Sequence, residues 1–62
     1  MYYIGDVICL KTNKKLNIIK GEIYTAYKEV LPQDNYGIVI DDDHSIDMNQ
    51  KRFDEYFKIR EL

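Results

Sequence analysis

The sequence predicts an all-β fold, a small antiparallel barrel of five short strands that occupies residues 1–62 as a single domain. Its 62 residues suffice for one small core. A composition of 45% hydrophobic and 13% aromatic residues is too apolar for a disordered chain. Short runs of β-branched and aromatic residues alternate with turn residues, and no long helical segment is available to connect parallel strands. A curled antiparallel sheet is the simplest fold that satisfies all three observations.

The first strand is predicted over residues 6–11, which combine β-branched residues with a preceding Gly-Asp pair. Four consecutive residues, Val7 to Leu10, are apolar, so alternation alone does not fix the register. We favour Ile8 and Leu10 pointing inward, with Val7 and Cys9 half covered. Residues 13–20 lack a period of two and predict a long loop anchored by its apolar residues, Leu16, Ile18 and Ile19.

The second strand is predicted over residues 22–31, with a bend or bulge near its middle. Pro32 ends it, and a turn over residues 32–35 leads into a third strand at residues 36–40. Polar residues 41–44 form the next turn, and a fourth strand returns over residues 45–48. The predicted core takes apolar residues from each strand or from the closing turn: Ile8, Leu10, Ile23, Ile38, Ile40, Ile46 and Phe53.

The C-terminal segment supports two interpretations. In the preferred one, a short 3₁₀ turn over residues 50–53 leads into a fifth strand in which Phe57 and Ile59 alternate with charged neighbours. The alternative is an α+β fold with a C-terminal helix, for which Asp47 and Gln50 would form a capping box. The residues at helical spacing are Phe53, Tyr56, Phe57 and Arg60.

Three stretches carry a family resemblance: residues 5–10 (GDVICL), residues 20–25 (KGEIYT), and Arg52-Phe53 followed by Phe57. They resemble small SH3-like barrel proteins of bacteriophages and of prophages in low-GC bacteria, many of unknown function. The resemblance implies an SH3-like barrel and a location in the cytoplasm of a bacterial host cell. Because these motifs concern folding, the resemblance says little about activity.

Charge and cysteine content narrow the function classes. Nine basic against eleven acidic residues give a formal net charge of -2, which disfavours sequence-independent DNA binding. The single cysteine, Cys9, cannot form an intramolecular disulfide, which favours a reducing cytoplasm. We expect neither a signal peptide nor a membrane span, because the apolar runs are only three or four residues long.

Oxygen-bearing residues alternate over residues 41–47, as at the start of a calcium-binding loop. The pattern then fails, because Ile46 replaces the required glycine and Arg52 the required bidentate glutamate. We therefore predict no metal site and no cofactor. His44, the only histidine, lies in a presumed turn without an activated nucleophile, so we predict no enzymatic activity.

Two charged segments and six tyrosines predict a binding protein. Residues 11–20 contain four lysines and residues 41–47 four aspartates, and tyrosine supplies amphipathic contact area. The predicted partner-binding residues are Lys14, Lys15, Tyr27, Tyr36, Asp41, Asp42 and Asp43. We expect a non-enzymatic phage or prophage protein that docks on a larger host or viral protein and occludes or adapts it, for example as an inhibitor of host defence or transcription. The alternative is nucleic-acid binding through the loop of residues 11–20 and its neighbouring tyrosines.

Overall fold

The computed structural model describes residues 2–30 and 34–60. Five strands form one antiparallel sheet of order β4-β3-β2-β1-β5. The elements in chain order are β1 (Tyr2–Cys9), β2 (Ile23–Glu29), β3 (Asn35–Asp41), β4 (His44–Asn49), α1 (Gln50–Tyr56) and β5 (Phe57–Ile59). The prediction of five antiparallel strands is therefore confirmed. Within the described residues, no helix has the length and apolar character needed to cross a bilayer.

The connection between β4 and β5 is a seven-residue α-helix, so the predicted 3₁₀ turn is wrong. Asn49 caps the helix by accepting a hydrogen bond from the backbone N–H of Arg52 at 2.9 Å, and the proposed capping role of Asp47 is also wrong. At the other end, Phe57 has extended backbone angles and donates its N–H to the carbonyl of Phe53. Each interpretation of this segment was thus half right, because a helix and a strand follow one another.

A β-bulge between Tyr3 and Gly5 determines which residues of β1 face the core. Gly5 has a φ of 120°, a conformation that residues with a side chain rarely adopt. The irregularity predicted for the middle of β2 therefore lies in its partner strand, and β1 begins at Tyr2. Because the bulge adds one residue, Val7 and Cys9 occupy the core face, although Tyr3 has the same parity and faces outward.

The predicted inward register of β1 is wrong by one residue for that reason. Val7 and Cys9 are fully buried, whereas Ile8 is half-buried and Leu10 is exposed. Of the other predicted core residues, Ile38 and Phe53 are buried, Ile40 and Ile46 pack partly against the core, and Ile23 is exposed. The buried core consists of Val7, Cys9, Ile18, Ala26, Tyr36, Ile38, Met48, Phe53 and Phe57.

The remaining strands start or end within one or two residues of their predicted bounds where the structure describes them. The fourth strand, for example, extends one residue further at each end than residues 45–48. Residues 32 and 33, half of the turn predicted at residues 32–35, lie outside the described residues. The helix α1 packs against β3, β4 and β5, and it lies between the two edge strands of the sheet. Within the described part of the chain, α1 therefore covers one face of the sheet and leaves the opposite face open.

Candidate binding surfaces

The open face of the sheet, here called the outer face, is defined by strand register. Directly paired residues of antiparallel strands point to the same side of a sheet. Three rows of paired residues point away from the core: Tyr3, Tyr27, Gly37 and Asp47; Asp6, Thr25, Val39 and Ser45; and Ile8, Ile23 and Lys58. All of them are exposed or half-buried. The first of these rows thus crosses four strands on the uncovered side of the sheet, and it consists of two tyrosines, a glycine and an aspartate.

Two tyrosines form an aromatic pair on the outer face. The rings of Tyr3 and Tyr27 meet edge to face, with centroids 5.5 Å apart and an interplanar angle of 64°. Tyr3 is 62% exposed and Tyr27 is half-buried. Gly37, the residue paired with Tyr27, has no side chain, so no side chain covers that flank of the Tyr27 ring from the paired position. The predicted contact residue Tyr27 therefore lies on the surface, paired with Tyr3, which is not among the predicted partner-binding residues.

Three acidic residues share the outer face with the tyrosine pair. Asp6 and Asp47 lie in the rows of the outer face, and Glu29 continues the same face of β2 by one further position. Among the paired residues of these three rows, Lys58 is the one basic residue, and it lies in the row furthest from Tyr3. The outer face therefore combines aromatic contact area with negative charge.

The two charged segments lie at the same end of the sheet. The lysine loop, residues 10–22, follows β1, and the acidic turn, residues 41–44, follows β3. Because β1 and β3 are both antiparallel to β2, their C-terminal ends meet at one end of the strands. The sequence predicts one positive and one negative segment. In the structure these are the β1–β2 connection and the β3–β4 connection, which lie at the same end of the sheet.

In the acidic turn, the side chain of Asp41 forms contacts within the turn itself. Its Oδ1 accepts a hydrogen bond from the backbone N–H of Asp43 at 2.9 Å and lies 3.0 Å from Nδ1 of His44. These contacts, above all the backbone N–H of Asp43, lower the pKa of the Asp41 carboxyl. Asp42 and Asp43 point into solvent at the tip. Among the described residues, no three carboxylate, histidine or cysteine side chains are grouped as metal ligands.

The lysine loop is held by a small bridge at its centre. Asn13 and Ile18 exchange backbone hydrogen bonds of 3.0 and 3.2 Å, and the Asn13 side chain accepts from the N–H groups of Lys15 and Leu16. Ile18 is fully buried, and Leu16 packs partly against the core. The prediction of a loop anchored by apolar residues is confirmed for these two, whereas Ile19 is 55% exposed. The turn over residues 14–17 displays Lys14 and Lys15 to solvent.

Tyr24, next to the lysine loop, makes contacts that stabilise the fold. The ring of Tyr24 packs edge-on against Phe57, with centroids 6.1 Å apart, and its hydroxyl accepts the backbone N–H of Ile19 at 3.0 Å. Lys11 forms a 3.3 Å ion pair with Glu55. A nucleic-acid strand on Lys14 and Lys15 would therefore find no free tyrosine at Tyr24 on which to stack.

Tyr36 is 8% exposed, so the prediction that it is an exposed contact residue is wrong. Its ring stacks on Phe53 with centroids 3.9 Å apart, and its hydroxyl donates to Oε1 of Gln50 at 2.7 Å. Nζ of Lys28 lies 4.0 Å from the ring centroid and 2.9 Å from Oδ1 of Asp34. The hydrogen bond to Asp34 raises the pKa of the Lys28 ammonium. Tyr36 is thus a core residue whose polar end is satisfied.

A cleft of about 400 Å³ lies between α1 and β5, and sequence reasoning did not identify it. Stacked aromatic rings of Tyr36, Phe53 and Phe57 form its base. Its other lining residues are Leu10, Gln50, Asp54, Lys58 and Ile59. The helical spacing of Phe53 and Phe57 was visible in the sequence, but the cleft depends on how the helix and the strand meet.

The structure thus brings Tyr27 together with Tyr3, buries Tyr36, and leaves the acidic tip and the lysine turn as separate projections at one end of the sheet. Comparisons of the chain with protein-family models, curated proteins and solved structures found no match. Among residues 2–30 and 34–60, the outer face and the cleft each combine apolar area with polar groups at their margins.

Proposed function

We propose that the protein is a non-enzymatic docking module that binds a larger protein through the outer face and thereby occludes or adapts it. The observation that carries this proposal is the edge-to-face pair of exposed Tyr3 and half-buried Tyr27. The pair shares the outer face with an acidic margin that consists of Asp6, Glu29 and Asp47. In keeping with the resemblance described above, we further propose an SH3-like barrel in which α1 spans the gap between β4 and β5, a phage or prophage origin, and action in the host cytoplasm.

The tyrosine pair supports docking on energetic grounds. Tyrosine is among the residues that most often dominate the binding energy of protein interfaces. The edge-to-face contact with Tyr27 restricts the ring of Tyr3 before binding, which lowers the entropy that the complex must lose. Exposed aromatic area that is already ordered on a sheet is well suited to bind a complementary surface.

The charges around the pair favour a basic partner. Asp6, Asp47 and Glu29 lie on the same face as the tyrosines, and the acidic turn adds Asp42 and Asp43 at one end. Opposite charges on the partner would accelerate encounter and orient it. The same acidic margin repels phosphate groups, so it favours a protein over a nucleic acid as the ligand of this face.

We also propose that the protein is not an enzyme. The positions of His44 and Cys9 support this part of the proposal. The side chain of His44 is 74% exposed on a turn and contacts Asp41, a setting that does not hold a nucleophile rigidly. Cys9 is buried, and burial raises the pKa of its thiol, which lowers its reactivity.

Two adjacent tyrosines provide a matched test. Tyr3 points to the outer face and Tyr2 to the opposite side, and they are 62% and 56% exposed. Tagged wild-type protein, Tyr3→Ser and Tyr2→Ser are used to capture proteins from bacterial lysate, with and without nuclease. We expect wild type and Tyr2→Ser to retain the same basic protein under both conditions. Loss of an aromatic anchor worth about 1.4 kcal/mol or more should weaken retention by Tyr3→Ser about tenfold or more.

Three results would contradict the proposal: equal retention by both variants, loss of the captured protein after nuclease treatment, or retention of no basic protein. Loss on nuclease treatment would instead support the alternative, nucleic-acid binding through Lys14 and Lys15.

A second comparison measures the contribution of the charged residues to association. Asp6→Lys with Asp47→Lys should slow association and change its salt dependence, whereas Lys14→Ala with Lys15→Ala should leave both unchanged.

A further inference from the structure

The outer edge of β5 presents free backbone hydrogen-bonding groups. Across β1 and β5, the N–H of Leu10 donates to the carbonyl of Tyr56 at 2.7 Å, and the N–H of Arg60 donates to the carbonyl of Asp6 at 2.9 Å. Hydrogen bonding alternates along an antiparallel pair, so Lys58 directs both of its peptide groups toward β1. Phe57 and Ile59 consequently direct theirs away from β1.

One of these outward groups is already used, because the N–H of Phe57 donates to Phe53 at the end of α1. The carbonyl of Phe57 and both peptide groups of Ile59 remain at the edge, without a backbone partner among residues 2–30 and 34–60. An unpaired strand edge of this kind is a template for pairing with a further extended segment.

The cleft between α1 and β5 adjoins this edge. Phe57, Lys58 and Ile59 belong to both, so a backbone paired with β5 would run beside the aromatic base of the cleft. Leu10 and Ile59, at its margin, are 39% and 46% exposed. A volume of about 400 Å³ falls at the lower end of the range for ligand pockets and is large enough to admit one bulky side chain.

We propose that β5 and this cleft bind an extended peptide segment of a partner protein, which adds as a strand to β5 and inserts one bulky apolar side chain between α1 and β5. The backbone groups of Phe57 and Ile59 supply the pairing, and the aromatic base supplies the selectivity. Asp54 and Lys58 give the cleft one charge of each sign, which favours a neutral side chain. A second copy of the chain is the weaker occupant, because an edge of three residues is too short for the area that a stable dimer buries.

Ile59 offers a variant that removes one edge donor and leaves the β1–β5 hydrogen bonds in place. Ile59→Pro deletes the outward N–H, and proline is tolerated on edge strands when its nitrogen faces solvent. Ile59→Val keeps the N–H and the apolar side chain, and is the matched control. A displayed library of random twelve-residue peptides is selected on the wild-type protein, and the enriched peptides are synthesised and titrated by fluorescence anisotropy.

We expect the selected peptides to share one bulky apolar position and to bind at least tenfold more weakly to Ile59→Pro, but within about twofold of wild type to Ile59→Val. Circular dichroism establishes that each variant is folded. If Ile59→Pro does not fold, N-methylation of alternate peptide amides on the wild-type complex gives the equivalent test: binding should fall for methylation on one edge of the peptide and persist for the other. Binding to Tyr3→Ser should be unchanged, which separates this site from the outer face.

Four results would overturn the inference: no peptide is enriched, Ile59→Pro binds as tightly as wild type, N-methylation on either edge has the same effect, or Tyr3→Ser abolishes binding. Sedimentation that shows a dimer lost in Ile59→Pro would replace the peptide with a second copy as the occupant. Docking at the outer face would survive all of these outcomes, and loss of peptide binding in Tyr3→Ser would transfer the peptide to that face.

Discussion

Ile38 lies at the centre of the core, and its truncation should remove much of the protein's stability. Its side chain is fully buried on β3, in register with Ala26 and Ile46 on the neighbouring strands. Ile38→Ala deletes three carbon atoms, a loss of about 2.4 kcal/mol at roughly 0.8 kcal/mol for each buried methylene. The cavity adds to this, so we expect a total of about 3 to 4 kcal/mol, within the range of about 2 to 5 seen for such substitutions.

That loss is large for a chain of 62 residues. At about 0.05 to 0.15 kcal/mol for each residue, the whole protein is expected to have an unfolding free energy of only about 3 to 9 kcal/mol. Ile38→Ala should therefore unfold at a much lower urea concentration, or be largely unfolded without urea. Ile40→Ala is the matched control, because Ile40 lies two residues along the same strand but is only partly buried. It should lose about half as much free energy.

Urea titrations followed by far-ultraviolet circular dichroism measure both variants. Equal losses for Ile38→Ala and Ile40→Ala, or a loss below about 1 kcal/mol for Ile38→Ala, would refute the assignment of Ile38 to the centre of the core.

Four further predictions concern local features. Asn49→Ala should cost about 1 kcal/mol by removing the cap of α1, and Asn49→Asp should restore it; equal urea midpoints for all three would contradict the cap. Asn17, at a φ of 61°, should lose about 1 kcal/mol on change to alanine but not to glycine. The Cys9 thiol should resist a disulfide reagent until the protein is unfolded, so rapid labelling of the folded protein would contradict its burial. Because the folded state lowers the pKa of Asp41 below 3.8, the stability that this group contributes is present above that pH and lost as the pH falls through the folded pKa. Asp41→Asn should therefore lose less stability than wild type as the pH falls below 3.8, and an equal loss in the two proteins would contradict the turn.

The strand count was predictable because β-branched and aromatic runs alternate with turn residues along the chain. The register of β1 was not. Its apolar run fits either face, and the decision depends on a bulge at Gly5 that alternation cannot reveal. The glycine itself was visible in the sequence, but without knowledge of pairing it indicated only a strand start.

The C-terminal helix shows a second limit of local reasoning. Helical and strand patterns overlap at Phe53 and Phe57, and both residues are buried in the fold. Only the cap at Asn49 and the pairing of Phe57 with Cys9 divide the segment at the observed position. Local sequence contained both elements but not the boundary between them.

For the candidate site, the sequence predicted the same surface position for Tyr27 and Tyr36. The two could not be told apart, although Tyr36 is buried in the structure. Both tyrosines lie in strands, and both have charged or polar neighbours in the sequence. Tyr36 faces inward because its strand register places it in line with Lys28 and Met48, above Phe53. The importance of Tyr3 likewise depends on its pairing with Tyr27 across two strands, which emerges only when the sheet is assembled.

Docking at the outer face is tested most directly by nuclear magnetic resonance mapping of the isotope-labelled protein in complex with the basic protein that it captures. We expect the largest changes in amide signals on the central strands of this face, at Tyr3, Thr25, Tyr27 and Val39, with the signals of Lys14 and Lys15 unchanged. Changes confined to the lysine turn, or to α1 and the covered side of the sheet, would contradict the account.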